Sequence, residues 1–527
     1  MLVKVFILLV FFLVTLGVGL ACRRSTSDVH GFVLGSRSIG SWLTAFAYGT
    51  SYFSAVIFVG YAGQFGWKYG VAATWIGIGN AFIGSLLAWN VLGRRTRIMT
   101  QQLDSATMPE FFGKRFQSPV LRIAAAAIIF VFLIPYTASL YNGLSRLFGM
   151  AFGIDYTWCV LGMAVLTAGY VLLGGYMAAA VNDFIQGIIM LFGIAAVIWA
   201  VLEGNGGMSA AMTKLSAISA PQAPDMQGAL ISFFGPAPLE LLGVVLLTSF
   251  GTWGLPQMVG KFYAITDESA ISKGTVISTI FAFIVAGGCY FLGGFGQLYA
   301  DAVEYVAPGK PVFDSIIPAM LSGLPDILLG IVVILVLSAS MSTLSSLVIT
   351  SGSTLALDIF VPLMLRRGKI PGNRVQLLQI RLLVVFFIAV SSVIAIVQAK
   401  SSVTFIAQLM GISWGALAGA FLAPFLFALY WKRTSSAAVM ASFIAGVGIM
   451  CACMACMVAG VPFVTPFLSS PINAGVLAML AGMVIVPVVS LVTPAPRRED
   501  VDAMFASYDR KVVVHASTAL SDAEEVR

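Results

Sequence analysis

The sequence predicts an all-α polytopic membrane protein of about thirteen transmembrane helices, built around two interrupted helices that run in opposite directions. Three observations predict it. Hydrophobic residues make up 59% of the chain and charged residues only 10%, against about 25% charged in soluble domains, and the mean hydropathy is +0.98. Apolar stretches long enough to cross the roughly 30 Å hydrocarbon core recur from end to end. Two of them, the second and the seventh, carry Gly, Ser, Thr or Pro in mid-membrane.

The spans fall at 2–22, 40–66, 71–93, 119–150, 156–176, 179–202, 236–262, 272–298, 325–360, 377–399, 403–431, 435–460 and 472–494. The first is long for a signal sequence and is followed at once by Arg23 and Arg24, so it reads as a membrane helix. With the N-terminus outside, 23 of the 29 Lys and Arg residues lie inside. Only Lys4, Lys68, Arg146, Lys214, Lys310 and Lys400 lie outside. That asymmetry predicts an integral plasma (inner) membrane protein with its N-terminus outside and its C-terminus cytoplasmic. The net charge of +7 follows from orientation and gives no reason to invoke nucleic acid.

Between the spans, the extracellular loop 203–235 is rich in Gly, Ala, Ser and Pro and reads as a partly helical lid or a passive cover. Phe313, Ile316, Ile317, Met320 and Leu321 predict a short amphipathic helix on the outer vestibule. The tail, 495–527, follows a Pro-Ala-Pro break, mixes both charges and is expected to be cytoplasmic and largely disordered. Cys451, Cys453 and Cys456 have metal-like spacing but no neighbouring His or charge, so they read as small packing residues. His30 and His515 are the only histidines and lie outside the spans, so a proton relay would need carboxylates.

The interruptions are Ala47-Tyr-Gly-Thr-Ser-Tyr-Phe-Ser54 in the second span and Ser249-Phe-Gly-Thr-Trp-Gly-Leu-Pro-Gln257 in the seventh. Pro256 removes a backbone donor, and Gly251 and Gly254 lower the cost of unwinding. An odd offset of five spans makes the two helices antiparallel. That is the layout of an inverted-repeat secondary transporter, in which broken helices present free backbone groups to ion and solute. In the ninth span, Ser338, Ser342, Thr343, Ser345, Ser346, Thr350 and Ser353 share about half the helix circumference. Hydroxyls at that depth face protein, water or an ion; close helix packing is the plainer use. Asp183, with Asn182 beside it and Gln186 one turn on, marks a pathway, a counter-ion or a proton carrier, or else an interfacial carboxylate that reaches water. No nucleophile, base and third group lie together, so enzymatic chemistry has no candidate.

Five ordered motifs then carry a resemblance. They are Gly31-Phe-Val-Leu-Gly-Ser-Arg-Ser-Ile-Gly40, Gly174 to Gln186, Trp253 to Ala264, Ala339-Ser-Met-Ser-Thr343 and Leu429-Tyr-Trp-Lys-Arg-Thr434. In order and spacing the chain resembles the sodium:solute symporter family from its first span to about Thr434. The resemblance implies the LeuT-type five-plus-five inverted repeat with one leading and two trailing helices. The expected divisions are 1–39 (leading helix and cytoplasmic loop), 40–202 (first repeat), 203–235 (loop), 236–431 (second repeat), 432–494 (trailing helices) and 495–527 (tail). It also implies a primary sodium site of the Thr50, Phe53 and Ala339 carbonyls with the Ser342 and Thr343 hydroxyls. A second sodium site would use Asp183, Ser345 and Ser346 with Ser342; the alternative is that Asp183 assists ion release or carries a proton.

The chain departs from the family where Tyr52, Ile57, Tyr176 and Lys261 stand at positions usually filled otherwise, and no Arg marks Phe130–Asn142. Sugars and sialic acid therefore fit less well. The cavity-facing candidates Tyr52, Ser54, Phe58, Trp75, Tyr136, Trp253, Gln257, Gln408 and Trp414 suit a small neutral, zwitterionic or amide-bearing solute. The function expected is sodium-coupled import, by alternating access, of an amino acid such as proline, a vitamin such as pantothenate, or a monocarboxylate. Sodium is the coupling ion, no organic cofactor is needed, and the partners are the solute and the bilayer, with no obligate protein partner. The alternatives are a proton-coupled carrier using Asp183 and a non-transporting solute sensor.

Overall fold

The computed structural model describes residues 2–266, 268–399 and 406–509. Among them, ten helices are long and apolar enough to span a membrane, or eleven with the bent pair Pro238–Gly254 and Pro256–Tyr263 taken as one. Two of the eleven are interrupted internally, at places where the sequence puts a boundary between two expected spans. The helix Tyr156–Gly204 is kinked at Gly175, where φ is 53° and ψ −145°. A side chain there would adopt a strained backbone and sit 2.9 Å from the Phe32 carbonyl oxygen, so only glycine serves. The run Val56–Gln102 is divided by a short turn at Gly70–Ala73, opened by Gly70 with φ 62°.

The elements that position the site are α1 (Leu2–Ala21), α2 (Ser41–Thr50), α3 (Ala62–Tyr69), α4 (74–102), α5 (Pro119–Phe152) and α6 (Tyr156–Gly204). There follow α7 (Pro238–Phe250), α8 (Pro256–Tyr263), α9 (Glu268–Gly293), α10 (Asp326–Leu355) and α11 (Asn373–Ala399). Last come α12 (Ile406–Tyr430), α13 (Ser436–Ala459), α14 (Pro471–Val492) and α15 (Arg498–Phe505). The first residues of the expected eleventh span, 403–405, lie outside the described residues.

Burial sorts these helices into centre and edge. The most apolar stretch of α12 is 89% buried and that of α10 78%, whereas α1 is 17% and α13 and α14 each 33% buried. A small, all-round apolar helix belongs inside, and one that leaves Phe6, Leu13, Ile444 or Val488 exposed faces lipid. α10 packs on α6, α5 and α11, while α13 and α14 cover α12 from outside.

The short helix expected near 316 is present as Ile316–Leu321, with Ile316, Ile317, Met320 and Leu321 buried. The loop 203–235 holds the helix Met208–Ser216 and a single turn at Ala229–Ile231. The tail corrects the expectation of disorder over its first part. α15 and the turn Ala506–Asp509 dock on the protein, burying Val501, Phe505 and Tyr508. Three apolar side chains at i, i+4 and i+7 give this short piece a buried face that its overall charge conceals. Residues 510–527 lie outside the described residues.

Candidate functional site

The first interruption falls where the Gly-Thr-Ser cluster places it. α2 ends at Thr50, a tight turn covers Ser51–Tyr52, and regular helix resumes after Ser54 as the π-helical turn Val56–Tyr61. The second runs from α7 through the 3-10 turn Gly251–Gly254 to Leu255, which is extended (φ −81°, ψ 120°), before α8 starts at Pro256. The helix bends there by 47°. Proline at a helix start costs nothing, because that N–H has no intrahelical partner. The two interruptions touch: the Tyr52 hydroxyl lies 2.7 Å from the Thr252 hydroxyl and also donates to the Gly84 carbonyl.

α10 lays its hydroxyl face against the first interruption. Ser342 Oγ lies 3.5 Å from the Thr50 carbonyl oxygen and 3.3 Å from that of Ala339, while Thr343 Oγ1 lies 3.1 Å from Ala339 O. Within the turn, the Phe53 N–H donates to Thr50 O at 3.1 Å. Thr50, Phe53, Ala339, Ser342 and Thr343 are all buried. The structure thus links oxygens of Thr50, Ala339, Ser342 and Thr343 in a small, uncharged nest, and oxygens are the donors a hard cation takes.

One turn further along α10, Ser345 donates to the Ser342 carbonyl at 2.8 Å and Ser346 to the same oxygen at 3.2 Å. Asp183 faces them from α6 with no exposed side-chain surface, so its reading as an interfacial group that reaches water is corrected. What meets this cluster is a residue that the sequence marks only as a departure. Lys261, from α8, places Nζ 2.9 Å from Ser346 Oγ and 3.5 Å from Asp183 Oδ2. It is as buried as they are. The one signal in the sequence was its position within the helix restarted by Pro256. Asp183 Oδ1 and both amide atoms of Gln186 have no hydrogen-bond partner. Ser338 also keeps a buried, unpartnered hydroxyl.

The solute candidates do not gather in one place. Tyr136 and Trp414 meet edge to face with centroids 5.9 Å apart, Ser54 stands beside the tyrosine, and Phe58 packs edge to face on Phe53. Gln257 lines a cavity with Lys261, Tyr176 and Ser346. Trp253 packs on Phe250 and donates its indole N–H to Ile83 O at 3.2 Å. Tyr52 spends its hydroxyl on the contact between interruptions, and Gln408 lies half-buried on α12. Trp75 is a correction. It turns away to the loop, donating to Phe233 O at 2.8 Å and packing on Phe233 and Phe234. An aromatic at a helix end is captured by the nearest apolar cover, and a loop of this length supplies one.

Beyond the geometry, the osmoregulated proline transporter OpuE of Bacillus subtilis is 29% identical over 443 residues, covering 83% of this chain and 86% of its own. Sodium/proline symporter 2 of Staphylococcus saprophyticus is 28% identical over 446 residues, 83% of each chain. Among solved structures, the substrate-bound, outward-open state of a Na+-coupled sialic acid symporter superposes with a TM-score of 0.73 at 15% identity. It covers 94% of this chain and 99% of that one, and at that identity the likeness is one of fold. The model of the sodium:solute symporter family matches residues 32–446. With the two interrupted helices and the oxygen nest lying inside that match, the chain belongs to the sodium:solute symporter family, and is a membrane transporter that couples sodium to a small organic solute rather than an enzyme.

Proposed function

We propose that the protein imports a proline-like amino acid together with sodium, the ion binding among Thr50, Phe53, Ala339, Ser342 and Thr343. The observation that carries the reading is the 3.5 Å approach of Ser342 Oγ to the Thr50 carbonyl, which joins α10 to the first interruption. A cation there ties two helices together and favours the arrangement in which the solute pocket is complete. Solute and ion then strengthen each other's binding by the same factor. The pocket forms around Ser54, Phe58, Tyr136 and Trp414, whose aromatic faces and lack of charge suit an apolar ring on a zwitterion. The names of the two proline-transporting relatives support that choice of solute.

The repeats 40–202 and 236–431 rock against each other, and the Arg-rich face is cytoplasmic, as the distribution of 23 against 6 basic residues supports. A membrane potential of 100 mV contributes about 2.3 kcal/mol per charge, and a tenfold sodium gradient about 1.4 kcal/mol more. Together these support accumulation of several hundredfold per ion. In proteoliposomes, Ser342→Ala and Thr343→Ala should each raise the sodium concentration for half-maximal uptake of labelled proline by roughly tenfold or more, equivalent to about 1.4 kcal/mol. Unchanged sodium dependence in both variants would overturn the ion site; sodium-dependent binding without proline uptake would overturn the solute.

A further inference from the structure

We propose that Lys261 is a tethered cation that occupies the place of a second sodium ion and so fixes coupling at one sodium per solute. The inference rests on the sodium-coupled reading above. Asp183 and Ser346 both approach one buried point, the Lys261 Nζ, and Ser345 shares the Ser342 carbonyl with Ser346, so a carboxylate and hydroxyls lie buried where an unpaired negative charge would be costly. The ammonium of Lys261 supplies the opposite charge, 2.9 Å from Ser346 Oγ and 3.5 Å from Asp183 Oδ2. A sodium ion bound to the same oxygens would sit in contact with Nζ, and two like charges sharing one carboxylate repel strongly in a low-dielectric interior.

One further contact and its place in the chain fix the amine there. Its Nζ lies 5.4 Å from the centre of the Tyr176 ring, a cation–π approach that offsets part of its desolvation. Its stem springs from α8, within two turns of the second interruption, so the charge stays with a helix of the transporter and is never released. A tethered charge satisfies the carboxylate throughout the cycle and adds nothing to the ion count. Asp183 Oδ1 retains an unused acceptor, so removal of the amine leaves an anionic cage able to take a free ion.

The experiment measures coupling in proteoliposomes with labelled L-proline, at zero membrane potential and an imposed tenfold sodium gradient. One ion per zwitterion limits accumulation to about tenfold and two ions to about a hundredfold. The wild type and Lys261→Arg should stop near tenfold. Lys261→Met should move towards a hundredfold with a steeper sodium dependence, and Lys261→Met with Asp183→Asn should return to tenfold. A hundredfold limit in the wild type, or a tenfold limit in an active Lys261→Met, overturns the inference. If Lys261→Met is inactive, equilibrium binding of radioactive sodium to the wild type decides: one ion per chain supports the tethered cation and two ions overturn it. Uptake indifferent to sodium would instead overturn the reading beneath it.

Discussion

At the scale of the residue, Asp314 shows what burial does to a single carboxyl. It stands in the short turn Phe313–Ser315, 5% exposed, with Oδ2 accepting the Ile406 N–H at 3.3 Å and Oδ1 unpartnered. Burial pushes its pKa up from the ordinary 3.8 to about 6, partly opposed by the Ile406 N–H and by Arg146. The folded state therefore holds this proton more tightly than the unfolded one. Its contribution to stability is fully present below about pH 4 and is lost as the pH rises through about 6. The rise corresponds to at most about 3 kcal/mol. Asp314→Asn should melt at a higher temperature than the wild type at pH 7.5, with the difference closing towards pH 4.5; equal melting at pH 7.5 would refute the account. Single residues were unevenly legible. Ser342 and Thr343 stood out because their hydroxyls share one helix face at membrane depth, although that pattern alone suits packing as well as an ion. Lys261 did not, because nothing in a linear pattern says that a residue of α8 meets one of α6, 78 positions away.

Among elements, the interruptions were the most legible, since Gly and Pro act locally on the backbone and need no partner to break a helix. The tail was the least. α15 is held by long-range contacts: Arg95 lies 4.7 Å from the Tyr508 ring and 4.0 Å from that of Tyr430, and Arg115 lies 5.3 Å from Phe505. Tyr508 donates to Leu429 O at 3.1 Å. These anchors come from α4, α12 and the helix Met108–Arg115, which composition alone cannot assemble. Phe505→Ala should cost about 1–3 kcal/mol of this docking and expose the tail to trypsin at Arg497–Arg498 without abolishing sodium-dependent uptake. Unaltered cleavage would show that the docking is maintained by other contacts. Trp75 illustrates the opposite error: its place on a core helix suggested a pocket residue, but the side chain was claimed by Phe233 and Phe234 of the loop.

For the whole molecule, the helical membrane-spanning architecture followed from hydropathy, because the bilayer leaves a chain few other solutions. What hydropathy could not convey is that the boundary between the spans 156–176 and 179–202 rests on one residue, Gly175, whose non-helical backbone kinks the run Tyr156–Gly204. Orientation is testable at this scale. In a cysteine-free background, Lys310→Cys should react with an impermeant maleimide on intact cells, and Lys369→Cys only after permeabilisation; the reverse pattern would invert the topology. The contact between Tyr52 and Thr252 adds a constraint of timing, since the partners are 200 residues apart. At roughly 5–20 residues per second, synthesis leaves the first interruption without its mate for roughly 10–40 s. During that interval a polar kink waits in or beside the insertion machinery. The rate at which the second half emerges thus sets how long the nascent protein is open to misassembly, and slow codons between the two halves would lengthen that exposure.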